Sequence, residues 1–189
     1  MTKTSLALAF AILSASAAPA LADPPQPKMV VLDRGALMQF SKVGQDIGRQ
    51  MQVYANQAKA DLSAQGKSLQ AEGRTLQQQV AILAPEVRQK RLESFRAREQ
   101  ALNAAAGRKD EQLKRAFAQA RQAMEQALEP ILQQLIKERG ANIVLDKQAV
   151  VFATDRKFDI TVDAITRLNQ KMPSFKVNLN AAPPAARKN

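Results

Sequence analysis

The stretch from Val43 to Leu83 reads VGQDIGRQMQVYANQAKADLSAQGKSLQAEGRTLQQQVAIL. Its apolar positions Val43, Ile47, Met51, Tyr54, Ala58, Leu62, Leu69, Leu76, Val80 and Leu83 recur at intervals of three, four or seven residues. Such spacing keeps one narrow stripe on an α-helix, the seam of a coiled coil. At about 1.5 Å per residue the helix reaches roughly 60 Å. A compact single-core domain of this size has no use for an element that long.

The next stretch repeats the habit. Pro85 disfavours helical geometry at Ala84 but suits the first turn of a new helix. Glu86 to Arg139 then carries Phe95, Leu102, Leu113, Phe117, Met124, Leu128, Ile131 and Leu135 at helical intervals. Gly140 stands where a left-handed C-terminal cap belongs, and Pro130 predicts a kink near the end of this second helix. If the chain folds back so that facing residue numbers sum to 171, Leu76 meets Phe95, Leu69 meets Leu102, Tyr54 meets Phe117, Ile47 meets Met124 and Val43 meets Leu128. One register therefore aligns both stripes, which predicts an antiparallel helical hairpin with its tip near residues 84–86.

The flanks have a different texture. Lys28 to Asp33 (KMVVLD) is a short β-branched apolar run after a proline-rich linker and reads as a buried strand, with helical spacing beginning at Arg34. After Gly140, Asn142 to Asp146 (NIVLD) and Ala149 to Ala153 (AVVFA) flank Lys147-Gln148 and read as a β-hairpin. Asp159 is placed to cap a last helix bearing Ile160, Ala164, Ile165 and Leu168. The stretch 173–189, with Ala-Pro-Pro-Ala-Ala and a basic end, reads as a disordered tail. The expected fold class is α+β, a long coiled-coil arm (43–139) inserted into a small β-stranded oligomerisation base (28–42 and 140–172). Three short strands do not bury themselves alone, so the base is expected to oligomerise through Met29, Val30, Val31, Leu32, Ile143, Val144, Leu145, Val150, Val151 and Phe152.

Composition narrows the function. The 189 residues contain no Cys, His or Trp, which removes thiol nucleophiles, imidazole bases, disulfides and thiolate or imidazole zinc sites. The seven glycines form no phosphate-binding loop. Asp159 and Asp163, one helical turn apart, make the most tempting carboxylate pair, but a cap and a first-turn acid explain them. No catalytic residue, cofactor or metal ligand is expected, and the chain reads as a non-enzyme.

Lys3, the apolar run from Leu6 and the Ala20-Leu21-Ala22 motif have the layout of a secretory signal cleaved after Ala22, followed by a linker at 23–27. The net charge of +11 falls to +10 without Lys3. Basic helices bind phosphate backbones, but export argues against any specific nucleic-acid role. Around the tip, Arg74, Arg88, Lys90, Arg91, Arg96 and Arg98 outnumber Glu86 and Glu93. That cluster reads either as a solvated helix surface or as a site for acidic lipid, lipopolysaccharide or negatively charged clients.

The strand block NIVLDKQAVVFA with FDITVDAI, together with Met29 to Asp33, Gly35 to Phe40 and the long hairpin, resembles the OmpH-like periplasmic chaperones over roughly Lys28 to Leu168. The basic second helix, Ala-rich mid-arm and Pro-rich extension depart from the family pattern. The resemblance implies a periplasmic homotrimer, a β-stranded body whose helical arms enclose a cavity for unfolded outer-membrane proteins. Client contact is then expected at positions flanking the seam, such as Val53, Leu92, Ala101 and Ala116. The alternative is an envelope coiled-coil adaptor that bridges acidic membrane or lipopolysaccharide surfaces without recognising unfolded chains. Small and polar facing pairs around Gly66, Gly73 and Gly107 further predict a flexible mid-arm, near 62–73 and 98–109.

Overall fold

A computed structural model describes residues 26–151 and 156–180. The expected leader and its cleavage site, most of the linker, Phe152 and residues 181–189 lie outside the described residues.

Strand β1 (Met29–Leu32) leads through Asp33 into α1 (Arg34–Phe40), whose first turn is capped by Asp33 Oδ1 accepting from Ala36 N at 2.8 Å. Buried Ser41 breaks the helix with extended dihedrals and restarts it, its Oγ accepting from Gly44 N at 3.0 Å. From this corner α2 (Lys42–Gln79) runs out as one helix of 38 residues, about 57 Å. Residues 80–84 turn the chain, and α3 (Pro85–Arg139) returns over 55 residues with Pro85 in its first turn and Gly140 as its left-handed cap. It continues through Pro130, between the buried anchors Leu128 and Ile131.

The base differs from the expected three-stranded arrangement. Strand β2 (Ile143–Asp146) pairs with β1 in parallel, Met29 opposite Ile143 through Leu32 opposite Asp146. After β2 comes a 3-10 turn, Lys147–Ala149, with Asp146 Oδ1 accepting from Gln148 N. Val150 and Val151 do not continue as a strand and Val151 is fully exposed, so the hairpin expected from their β-branched run is absent over the described residues. The 3-10 turn capped by Asp146 carries the chain off the edge of β2 in place of a hairpin turn, and β1 takes its second neighbour from further along the chain. Its far side is bridged at Val31 to Asp159, with Ile160 N donating to Val31 O at 3.0 Å. Val30, Val31 and Leu32 are correspondingly buried within their own chain, as suits a parallel strand covered on both faces.

Helix α4 (Thr161–Lys171) closes the base with Ile160, Ala164 and Leu168 fully buried. Asp159 Oδ1 accepts from Thr161 N at 2.9 Å, and Lys147 lies 3.3 Å from Asp159 and 3.7 Å from Asp33. Burial alone would raise the Asp159 pKa, but the Thr161 and Lys147 hydrogen bonds outweigh it and hold the carboxyl below its ordinary range. Asp163 pairs with Arg139, and Arg167 forks onto Glu138 at 2.9 and 2.6 Å, fastening α4 to the end of α3. The N-cap of α4 is Ile160, without a side-chain cap bond, so Asp159, expected as the cap, instead braces the turn just ahead of the helix while Asp163 serves the clasp.

The disorder expected from Pro173 onward does not hold for residues 173–180. Phe175, Val177 and Leu179 pack against the same core as Ile47, Ala120 and Met124, so residues 173–180 form a strap along the root of the arm.

Candidate functional site

Three regions of the arm bear on function: the root under the strap, the middle, and the tip. At the root, α3 presents Ala116, Ala120, Met124, Leu128, Ile131 and Leu135 to the core. Met124, Leu128, Ile131 and Leu135 lie in the seam as expected, and the departure comes at its outer end. Ala116, expected on a client-facing flank, is 1% exposed, while Phe117, expected in the seam, is 37% exposed. The two-helix reading missed the third wall. With Val177 joining the α2 and α3 side chains in one cluster, small alanines let the elements approach closely and the bulky phenyl ring is turned outward. Phe117 lines a groove of about 1080 Å³ against Met38, Leu132, Ile136, Val144 and Leu145.

The strap is held chiefly through its backbone. Asp46 Oδ2 accepts from Phe175 N at 3.3 Å. The Gln50 amide donates to Phe175 O at 2.7 Å and accepts from Val177 N at 3.0 Å. Tyr54 OH donates to Val177 O at 3.4 Å, and further along Gln112 donates to Asn180 Oδ1. Apart from Tyr54, expected in the seam, none of these residues was singled out by sequence reasoning. Yet Phe175, Val177 and Leu179 alternate with Lys176, Asn178 and Asn180, a period of two that marks a strand-like segment.

The middle of the arm is thinly packed. Between Ala58 and Leu76 α2 buries no side chain, and α3 buries none before Ala116. Gly66 lies 4.0 Å from Leu102 and Gly73 3.1 Å from the Phe95 ring, measured from the position a Cβ would take. Arg98 pairs with Glu72 at 2.6 Å, and Arg91 donates to Gln79. These partners sum to 168 or 170 rather than 171, within one helical turn of the expected register. Of the expected flank positions Val53 is 63% exposed, Ala101 is exposed and Leu92 half-buried.

At the tip, the basic residues divide. Arg88 folds back onto the turn, donating to Leu83 O at 3.2 Å with its Nε buried and unpartnered. It closes the turn. Arg91 and Arg98 are engaged across the hairpin, whereas Arg74, Lys90 and Arg96 lie exposed. Ile82 is 82% exposed at the turn itself.

No helix among the described residues is long and apolar enough to cross a membrane. The sequence profile described as Outer membrane protein (OmpH-like) matches residues 28–168. A search of curated proteins gives no match. Among solved structures, the chain is similar to a crystal structure from Caulobacter crescentus CB15 of a protein proposed as an outer membrane chaperone (OmpH-like). The TM-score is 0.73 at 18% identity, covering 82% of this chain and 91% of that one, a likeness that speaks for the fold. With the profile spanning β1, the entire arm, β2 and most of α4, the chain belongs to the OmpH-like family of outer membrane proteins.

Proposed function

We propose that the protein is an ATP-independent periplasmic holdase that keeps unfolded outer-membrane β-barrel proteins from aggregating, acting as a homotrimer whose arms enclose the client. One observation carries this reading. The arm is some 57 Å long, yet α2 fully buries no side chain between Ala58 and Leu76 and α3 none before Ala116. A helical hairpin maintained for its own stability would close its seam; this one leaves the mid-arm seam half-buried and displays Val53 and Ala101, with half-buried Leu92, beside long charged side chains. Weak contacts of that kind, repeated over several arms, hold many sequences without selecting one. Unfolded barrel strands, apolar on alternate residues and with unpaired backbone, are the chains most in need of such shelter.

Assembly is supported by the base. A two-stranded sheet is small for independent stability, and Met29, Ile143 and Val151 are exposed beside it. Within the expected interface Val30, Val31 and Leu32 act from inside the protomer, leaving Met29, Ile143 and Val151, with half-buried Val144, Leu145 and Val150, to meet a second copy. A second reading, an adaptor for acidic surfaces, draws on exposed Ile82 between Arg74, Lys90 and Arg96, since an apolar point in a basic rim suits an anionic lipid interface.

The test is aggregation of a urea-unfolded porin diluted into buffer with the mature protein, run beside co-sedimentation with anionic vesicles. Suppression of light scattering at near-stoichiometric trimer is expected. Vesicle binding with no suppression would replace the holdase reading by the adaptor.

A further inference from the structure

The ladder Asp46, Gln50 and Tyr54 rises at i, i+4 and i+8 along one face of α2, and each member bonds the backbone of Phe175 or Val177. A helix climbs about 6 Å in four residues. A strand climbs about 6.6–6.8 Å in two. The two periods nearly match, so side chains four apart on a helix meet backbone groups two apart on an extended chain. In a strand the N–H and C=O of residues i and i+2 face the same neighbour, and those four groups are the ones engaged here. Gln50, donating to one carbonyl and accepting from the next N–H, stands in for a neighbouring strand.

Recognition of this kind is blind to side-chain identity. It requires only unpaired extended backbone, with apolar groups on alternate residues to enter the core as Phe175, Val177 and Leu179 do. The far end of the strap is loosely seated: the Tyr54 bond is long, and a cavity of about 610 Å³ lies between Tyr54 and residues 176–180.

We propose that the α2 face from Asp46 to Tyr54 is a binding site for extended, alternately apolar chain segments, and that the strap is a tethered occupant which incoming segments displace. The inference rests on the holdase reading for the source of those segments, since an unfolded β-barrel strand has this pattern. The strap then sets a threshold, because apparent affinity falls by the fraction of sites left open. Segments shorter or less apolar than the strap are refused.

The experiment uses the full mature chain and a fluorescent peptide of the strap, SFKVNLN, with its rearrangement SFVLKNN and an unrelated alternately apolar heptapeptide as comparisons. Val177→Asn, which removes the one nearly fully buried strap side chain (2% exposed), is expected to raise affinity for both alternating peptides about tenfold or more over wild type, a shift within what losing a buried valine supplies. Adding Gln50→Ala to that variant abolishes the gain, and SFVLKNN binds neither. Equal binding of SFVLKNN, or no gain in Val177→Asn with its helical circular dichroism intact, overturns the proposal. Should that variant misfold, hydrogen exchange on wild type decides: excess alternating peptide must deprotect residues 174–180, and unchanged protection refutes displacement. Porin aggregation, scored separately, tells the two readings apart. Suppression without peptide displacement removes the strap site and keeps the holdase, whereas displacement without suppression does the reverse.

Discussion

Gly44→Ala puts the α1–α2 corner to a quantitative test. A Cβ at Gly44 would stand 2.7 Å from the Met38 carbonyl carbon and 2.8 Å from its Cα, with the carbonyl oxygen nearer still. Carbon atoms pack best at about 3.5–4.0 Å, so α2 must retreat from α1 by roughly 1 Å. The obstacle is backbone and cannot rotate away. Val43 and Ile47, both fully buried beside the corner, would lose a quarter to a half of their dispersion contact across a gap of about that size. Overpacking typically costs about 1–3 kcal/mol and more where backbone must move. With the loosened neighbours the gross loss is about 3–5 kcal/mol, and alanine's better helix propensity returns about 1 kcal/mol. A net loss of roughly 2–4 kcal/mol lowers the melting temperature by about 5–15 °C in a chain of this length. The control is Gly48→Ala, an exposed helical site with nothing within 4 Å of the added carbon, which should gain roughly 2–4 °C. Thermal melts followed by circular dichroism, at one protomer concentration because assembly shifts apparent stability, read both. If Gly44→Ala melts within a degree of wild type, or rises with the control, the close approach at Met38 is not a real constraint.

Replacing Arg74, Lys90 and Arg96 with Gln should weaken binding to anionic vesicles at least severalfold at low salt and hardly at all at 0.5 M salt, while Arg88→Gln should act mainly through the tip turn, read as faster amide exchange at 80–84. Amides in 62–73 and 98–109 should exchange faster than those around Tyr54 and Ala120, and equal protection would remove the flexible mid-arm. Asp159 has a lowered folded-state pKa, so its contribution to stability is present above the unfolded value of about 3.9 and is lost as pH falls through the folded one. Asp159→Asn should therefore lower stability at pH 7 and flatten the acid limb below about pH 4 in urea titrations; an unchanged limb would contradict a stabilising role for its bonds to Thr161 and Lys147.

The arm was legible because its signal is local and repeated: a stripe over forty residues, Pro85 at the turn and Gly140 at the stop each follow from single-helix chemistry. The direction of β2 was not. NIVLD and AVVFA lie side by side in sequence and invite a hairpin, whereas the true partner of Ile143 is Met29, beyond the whole arm. Val150 and Val151 show that a β-branched run records apolarity and not pairing. The strap was hidden by composition: Pro173 and the Ala-Pro run after it read as a disordered tail, and outweighed the alternation from Phe175 to Asn180. Missing the strap also put the wrong residue inward at one seam position, for without Val177 nothing distinguishes Ala116 from Phe117 as the inward residue. The tip arginines were found as a cluster, but only the folded chain separates Arg88, turned onto the Leu83 carbonyl, from exposed Arg96.

The parallel pairing of β1 with β2 constrains the order in which the molecule assembles. Lys28 and Asn142, bonded across the start of the sheet, are 114 residues apart. Closing a flexible loop of that length costs about 4 kcal/mol in chain entropy, more than four short pairings readily return. If the hairpin zips first, Val43 and Leu128 already share one core, and only the short segments flanking them must find each other. The arm is thus the scaffold on which the base is made. During synthesis at about 5–20 residues per second, the apolar segment Met29–Leu32 waits roughly 6–23 s for its partner strand to exist. On that order, contacts at the root, where Ile47 shares the core with Met124 and Ala120, are expected in the folding nucleus. Weakening them should slow folding, whereas weakening the α4 clasp at Glu138–Arg167 should mainly hasten unfolding.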